Sequence, residues 1–371
     1  MRVVVVGASG NVGTSLLRSL ADEPAVDSVL GIARRIPKAS FPKTEWRQAD
    51  IARSPLRPHF QGADVVVHLA WLIQPGRDKQ RLREVNVDGS ARVFRAAAAA
   101  GVPALVYASS IGAYAPGPKD RGVDESWPTT GISSSFYARH KAEVERLLDR
   151  FEDERPDTRV VRLRPGLIFK REAASGIRRL FAGPLLPNAL VQRRLIPVVP
   201  AHPRLVFQAV HSYDVGEAYR LAIVRDDARG AYNVAADPVL DPDELARTLG
   251  AKKVPVPGGL LRGGAALSYA LRLQPSEPGW VDMALAVPVM DTTRVRDELG
   301  WEPGQTSSEA LLDLLEGMRQ GAGLDTPPLE PGGAGPLRAR VRERGGCARR
   351  CINALTGYPA GIRRRRSSGS V

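Results

Sequence analysis

The stretch that decides the fold is Arg2-Val3-Val4-Val5-Val6-Gly7-Ala8-Ser9-Gly10-Asn11-Val12-Gly13. Four consecutive valines read as a buried strand. Three glycines at a spacing of three follow, and Val12–Ala21 then carries a helical pattern. Small residues let a backbone turn tightly and approach a pyrophosphate, while the helix N-terminus offers N–H groups to the anion. A plain tight turn also uses glycine; the strand–turn–helix context is what points further. The expectation is dinucleotide binding through Gly7, Ser9, Gly10, Asn11, Val12 and Gly13.

Outward from this turn, short β-branched runs alternate with helical patterns. Strands are expected at Arg2–Val6, Ser28–Ala33, Glu45–Ala49, Val65–Leu69, Ala104–Ala108 and Arg159–Leu163, and helices at Val12–Ala21, Asp78–Ala100 and Tyr137–Phe151. Alternating β and α predicts an α/β fold, a doubly wound parallel sheet with helices on both faces. Val65-Val66-Val67 shows no polar alternation, as a strand covered on both sides requires.

Composition narrows the function classes. The 371 residues have 43% hydrophobic and 25% charged content, ordinary for a globular protein. The net charge of +13 resembles a nucleic-acid signal. However, Pro331 to Val371 holds ten arginines and one glutamate, so about +9 belongs to the tail and about +4 to the other 330 residues. No specific nucleic-acid partner is expected. Arg363 to Arg366 suit nucleic acid or an anionic membrane, but a solvated extension is the plainer reading. No secretory signal and no membrane span are apparent, and Cys347 and Cys351 have no neighbouring histidine to make a zinc site. A cytoplasmic protein is expected, with a disordered tail from Thr326 onward.

The second strand ends in Gly31-Ile32-Ala33-Arg34-Arg35. An acid at this position holds the ribose of NAD; two arginines instead suit a 2′-phosphate, so NADP(H) is favoured over NAD(H). Asp50 and Ile51 fall beside the adenine, where Asp50 either accepts from its amino group or caps the next turn. Leu69 and Ala70 should line the cofactor after the fourth strand, while His68 reads as a satisfied strand-end histidine. Asn86, a mediocre helix former within a long helical pattern, suggests a local polar role holding backbone or water near the site. Ser109 and Ser110 emerge at the carboxyl edge of the fifth strand, where open α/β sheets bind ligands. Tyr137 and Lys141 lie four apart, on one helix face. A fixed cation beside a phenol lowers its pKa.

In this order the motifs resemble the extended short-chain dehydrogenase/reductase family, also called the NAD-dependent epimerase/dehydratase family. The matching residues are Gly7, Gly10, Gly13, Asp50, His68-Leu69-Ala70, Asn86, Ser109-Ser110, Tyr137 with Lys141, and Arg164-Pro165-Gly166. His211 to Val215, Asp291 to Thr293 and Glu298 to Trp301 continue the match, over residues 1 to about 320. The resemblance implies a Rossmann-type domain over 1–166 with returning strands around 205–236. A substrate-binding lobe would occupy 167–204 and 237–325. It implies Tyr137 as general acid/base, with Lys141 on the nicotinamide ribose, Ser110 on the reacting oxygen and Asn86 in the catalytic set. Pro165 would complete the cofactor contacts. Of the two serines Ser110 is preferred, because the family places this serine four residues before a tyrosine, here Tyr114.

The implied activity is NAD(P)-dependent hydride transfer on a hydroxyl/carbonyl of a small molecule. Alternatives are a sugar-nucleotide epimerase or dehydratase with transient hydride transfer, and a non-catalytic NADP-sensing protein. Pro165-Gly166-Leu167-Ile168-Phe169-Lys170-Arg171 lacks the Asn and Gly-Pro common in sugar-nucleotide enzymes. Arg178, Arg179, Arg193 and Arg194 suit a phosphate, though such pairs are more often solvated. Leu260–Leu273, ending at Gln274-Pro275, reads as lobe core or a cover over a hydrophobic substrate. Family members often dimerise through the helix carrying the tyrosine, so a homodimer is expected.

Overall fold

The computed structural model describes residues 1–73, 77–181, 196–271 and 276–331, with only the backbone at 179–181. Arg193, Arg194, Gln274, Pro275 and the tail from 332, with both cysteines, lie outside the described residues, as does the side chain of Arg179. The elements of the first half are β1 (Arg2–Val6), α1 (Asn11–Ala21), β2 (Ser28–Ala33), β3 (Thr44–Gln48), α2 (Arg57–Phe60), β4 (Val65–His68), α3 (Lys79–Arg83), α4 (Gly89–Ala99), β5 (Ala104–Ala108), β6 (Gly122–Val123) and α5 (Phe136–Glu154). There follow β7 (Arg159–Pro165), β8 (Leu167–Phe169), α6 (Ala174–Phe181), β9 (Val198–Ala201), β10 (Ala209–His211), α7 (Ser212–Val224), β11 (Gly230–Val234) and α8 (Pro242–Leu249). The last are β12 (Lys252–Pro255), α9 (Gly258–Ala270), α10 (Gly279–Ala286), β13 (Val289–Met290), α11 (Thr293–Leu299) and α12 (Ser307–Gln320).

Seven parallel strands form the main sheet in the order β11-β7-β5-β4-β1-β2-β3. The valines of β1 show why the run is apolar throughout. Val3 and Val5 face one core with α1 and α7, and Val4 and Val6 face the other with α4 and α5. Side chains alternate across a strand, so a sheet covered on both faces needs apolar residues at every position. The chain leaves β1 toward β2 on one side and returns through β4 on the other. The crevice between β1 and β4 is therefore the switch point where such sheets bind ligands.

Helices α1 and α7 pack closely because Gly216 has no side chain: a Cβ there would lie 2.8 Å from the Ser15 carbonyl carbon. A third core, around Phe169, Val199, Leu240, Leu245 and Leu314, belongs to the region after Pro165. Of the strands expected to return around 205–236, the first is β10, which starts only at Ala209 and pairs with β8 in a separate two-stranded sheet, while β11 joins the main one. Tertiary pairing, not local pattern, separates the two.

Two expectations need correction. The single helix over Asp78–Ala100 is three pieces, with a π-helical turn at Glu84–Asp88 between α3 and α4. Residues 326–331, expected to open a disordered tail, belong to the compact unit ending at Gly332. There the Asp325 carbonyl accepts from Lys38 and Ala39, and Leu329 and Thr326 are buried. One leucine finding an apolar niche outweighs the polar composition around it.

Candidate active site

The glycine turn sits in the β1/β4 crevice. Gly7 has φ of +91°, and a Cβ there would lie 2.6 Å from the Ala70 nitrogen. A Cβ on Gly13 would lie 2.5 Å from the Ala8 carbonyl. Both positions therefore require glycine, the first for conformation and the second for close approach. Gly10 precedes α1, and no side chain caps the helix. Ser9 is buried, and the buried Asn11 Oδ1 has no partner among the described residues. Val12 is half-buried beside them, as are Leu69 and Ala70 across the crevice. An uncapped helix start over a cradle that any Cβ would fill fits a bound pyrophosphate.

At the end of β2, Arg34 and Arg35 are exposed. Asp50 already has partners: Oδ2 pairs with Arg81 at 2.9 Å and Oδ1 accepts from Ala52 at 3.0 Å. Burial pushes its carboxyl up, but the Ala52 N–H and the Arg81 and Arg34 cations hold it below the usual range. Of the two roles open to Asp50, the turn cap is the one present. Ile51 is buried and packs against Gly89, where a Cβ would lie 2.9 Å from its Cδ1. Pro165 is buried at the end of β7.

Asn86 lies in the π turn, fully buried. Its Oδ1 accepts from the Leu72 N–H at 2.7 Å and its Nδ2 donates to the Leu72 carbonyl at 2.8 Å. Both ends of the amide hold the loop after β4, so the expected place in the catalytic set becomes a positioning one. The extra residue of the π turn aims this side chain at the loop. Ser90 links the same turn to His68, donating to the Asn86 carbonyl at 2.6 Å while its Oγ lies 2.8 Å from His68 Nε2. Burial, with the Lys141 charge, pushes His68 down to about 3, so it is neutral at physiological pH.

The two serines after β5 diverge. Ser110 caps a 3₁₀ turn over Ile111–Ala113, accepting from the Gly112 N–H at 3.0 Å, and it hydrogen-bonds Tyr137. Ser109 turns the other way and donates to Glu145. Gly112 matters here: a Cβ would lie 2.8 Å from Cε1 of Tyr137. The phenol ring is held by two indoles, Trp71 edge-on at 5.9 Å and Trp280 tilted by 34° at 5.0 Å.

Lys141, one turn along α5, is 3% exposed. Its Nζ donates to the Ala108 carbonyl at 2.6 Å and lies 3.7 Å from the Trp71 ring centroid. It stands 5.9 Å from the Tyr137 ring centroid. Burial pushes this ammonium down to about 7, against the pull of Glu145. The expectation that Lys141 lowers the phenol is corrected: burial pushes Tyr137 up, opposed by the Ser110 hydrogen bond. The aromatic walls remove solvent, and the lysine is engaged elsewhere.

One further turn along α5, Glu145 is fully buried under four contacts. Arg164 binds it with two bonds, at 2.9 and 3.0 Å, Arg162 at 2.9 Å, and Ser109 closes the set. These hold its carboxyl down at about 2 despite burial. Arg164 continues to the Tyr114 hydroxyl at 3.0 Å, which donates to Asn233 at 2.7 Å. The sequence reading missed Glu145, although its place four residues after Lys141 on the same face was a signal. Trp280 had no signal, since 143 residues separate it from Tyr137.

Comparison with known proteins bears on the fold and the family. The uncharacterized protein Rv2047c of Mycobacterium tuberculosis is 28% identical over 326 residues, 87% of this chain but 31% of that protein. The chain thus spans less than a third of that relative. A second uncharacterized protein of the same organism, Rv0501, is 28% identical over 89% of this chain and 86% of its own length. The sterol-4-alpha-carboxylate 3-dehydrogenase of Saccharomyces cerevisiae is 28% identical over 48% of this chain and 55% of its own. Among solved structures, UDP-glucose-4-epimerase from Stenotrophomonas maltophila, with bound NAD and formylated UDP-arabinopyranose, matches with a TM-score of 0.65. It is 22% identical, over 86% of this chain and 98% of that one, and shares the fold. The model of the NAD dependent epimerase/dehydratase family matches residues 3–235, from the first valine of β1 to just past β11, and the chain belongs to that family.

Proposed function

We propose that the chain is a NAD(P)-dependent oxidoreductase acting on a hydroxyl/carbonyl pair of a small molecule, with Tyr137 moving the proton. The observation that carries this is the meeting of Ser110, Tyr137 and Lys141 at the carboxyl edge of the sheet, beside the glycine turn. When bound, the nicotinamide nucleotide supplies or accepts the hydride. Gly7, Ser9, Gly10, Asn11, Val12 and Gly13 would hold its pyrophosphate, with Leu69, Ala70, Ile51 and Pro165 around the rest. The exposed Arg34 and Arg35, with no acid at the end of β2, support NADP(H) over NAD(H). A phenol pushed up by burial is protonated at neutral pH, the form that donates to a carbonyl oxygen. Ser110 would orient that oxygen, and Lys141 would hold the ribose of the bound nucleotide. The region after Pro165, with its own apolar core, is the substrate lobe in this reading. A homodimer through α5 and its neighbour accompanies it.

Tyr137→Phe tests the assignment. Turnover of a carbonyl panel with NADPH should fall by about 10²- to 10⁴-fold, with dinucleotide affinity nearly unchanged. Turnover retained by the variant would remove the phenol from the mechanism. A second reading, epimerase or dehydratase on an activated sugar, draws on the fold shared with the sugar-nucleotide epimerase. It requires turnover without net consumption of NADPH. The two indoles around the phenol favour a less polar substrate than an activated sugar.

A further inference from the structure

Lys170, the residue after β8, is fully buried. It stands in the stretch that lacks the Gly-Pro of sugar-nucleotide enzymes. Its Nζ donates to the Asn11 carbonyl at 2.9 Å, the Thr14 hydroxyl at 2.8 Å and the Ser15 hydroxyl at 3.0 Å. All three acceptors lie in the first five residues of α1. The Thr14 hydroxyl donates onward to the carbonyls of Gly10 and Asn11, at 3.0 Å each, and Ser15 meets Ser212 of α7 at 2.8 Å. One hydroxyl therefore links the ammonium to the glycine turn.

Taken by itself this is an unfavourable place for a cation. The N-terminus of a helix carries positive partial charge, and cations are stabilised at the other end. A buried charge is ordinarily paired. The acceptors bonded to Lys170 are all neutral, and among the described residues it has no carboxylate partner. The charged and titratable groups around it come from several elements. Arg18 lies on α1, Glu172 in the turn after β8, and Tyr213 on α7, its ring centroid 5.6 Å from Nζ. Glu172 bonds the Tyr213 hydroxyl at 2.8 Å and stands 3.5 Å from Arg18, so its charge is already engaged. His211 of β10 packs on the Tyr213 ring and, like Arg171, pairs with Asp313 of α12. Burial pushes the Lys170 ammonium down to about 7, opposed by Glu172 and helped by Arg18. A pyrophosphate at the start of α1 would bring the negative charge that none of the bonded acceptors supplies.

We propose that Lys170 is a positioning residue for the dinucleotide: its buried ammonium, fixed on the first turns of α1, supplies counter-charge to the pyrophosphate held at the start of that helix. This role presupposes that the glycine turn holds the dinucleotide. It has a consequence in protons. An anion brought near a buried ammonium favours the charged form, so binding and protonation of Lys170 strengthen each other.

The test is calorimetric titration of the full chain with NADP⁺ between about pH 6 and pH 9. Lys170→Met should bind about tenfold more weakly than the wild type at the acid end, and the gap should close at the alkaline end, where the wild-type lysine is neutral too. A merely structural role would weaken binding equally across the range. The 2′-phosphate titrates near pH 6 in both proteins, so the ratio of affinities isolates the lysine. A second measurement does not need that variant to fold. Lys141→Met removes the other buried lysine of the site; titrated near pH 7.5 in two buffers of different ionisation enthalpy, it should still take up about half a proton on binding. The inference fails if Lys170→Met binds as well as the wild type at the acid end, if its deficit is the same at both ends, or if Lys141→Met takes up no proton. A wild type that binds neither NADP⁺ nor NAD⁺ would overturn the reading of the glycine turn, and this inference with it.

Discussion

Helix α5 carries two polar clusters, two turns apart, that differ in how completely they are paired. At Glu145 the carboxylate is saturated by Arg162, Arg164 and Ser109, and the network runs on to Tyr114 and Asn233. At Tyr137 and Lys141 the surroundings are aromatic, and several buried polar atoms close by have no partner among the described residues: Trp71 Nε1, the Tyr107 hydroxyl and His68 Nδ1. Unpaired buried polar groups cost stability, and a saturated network returns it. The difference teaches how one helix serves two ends. The Glu145 cluster holds α5 against β7 and the loop after β5, while the polar atoms around Tyr137 and Lys141 are only partly paired.

This contrast can be broken at either end. The largest structural effect should come from Glu145→Ala, which leaves Arg164 buried without its carboxylate, while Arg162 keeps Asp149 and Glu152. Stability should fall by roughly 3–5 kcal/mol in a denaturant titration. Loss of activity without loss of stability would instead place Glu145 in the catalytic set. The serine pair sharpens the contrast at smaller magnitude. Ser110→Ala should cut turnover by about 10- to 100-fold and barely move the melting temperature. Ser109→Ala should cost about 1–3 kcal/mol of stability and leave KM alone. The opposite pattern would exchange the roles of the two serines.

Per pH unit the effect is the smallest, and the two clusters should respond at opposite ends of the scale. Glu145 has its folded pKa lowered to about 2, so its stabilisation is present above about 4.5 and is lost as the pH falls toward 2. Lys141 is pushed down to about 7 from 10.5, so above pH 7 the unfolded chain binds a proton that the folded chain lacks. Stability should therefore rise between pH 7 and 10.5, by at most ~1.4 kcal/mol per pH unit for one lysine. Lys119 and Lys170, also buried and pushed down to about 7, act in the same direction. Lys141→Met should flatten the alkaline limb in part. An unchanged slope in thermal melts from pH 7 to 9 would show that Lys141 is charged in the folded protein.

The sequence by itself determined the doubly wound sheet, the glycine turn and the helix carrying Tyr137 and Lys141. Each depends on local spacing: valines that must be apolar on both faces, glycines that a turn requires, residues four apart on one helix face. It also placed two serines at the mouth of the site. The family resemblance already preferred Ser110; the tertiary structure supplies the physical reason, because the partner that engages Ser109 lies 36 residues away on α5. Tertiary structure alone decided Asn86, whose role depends on a π turn and the loop it clamps, and Trp280, which reaches the phenol from α10. The fate of Leu260 and Leu267, expected in the lobe core but 68% and 61% exposed, was likewise beyond local pattern. An apolar stripe is the same in sequence whether it faces a core or solvent, and only the packing of its neighbours decides which.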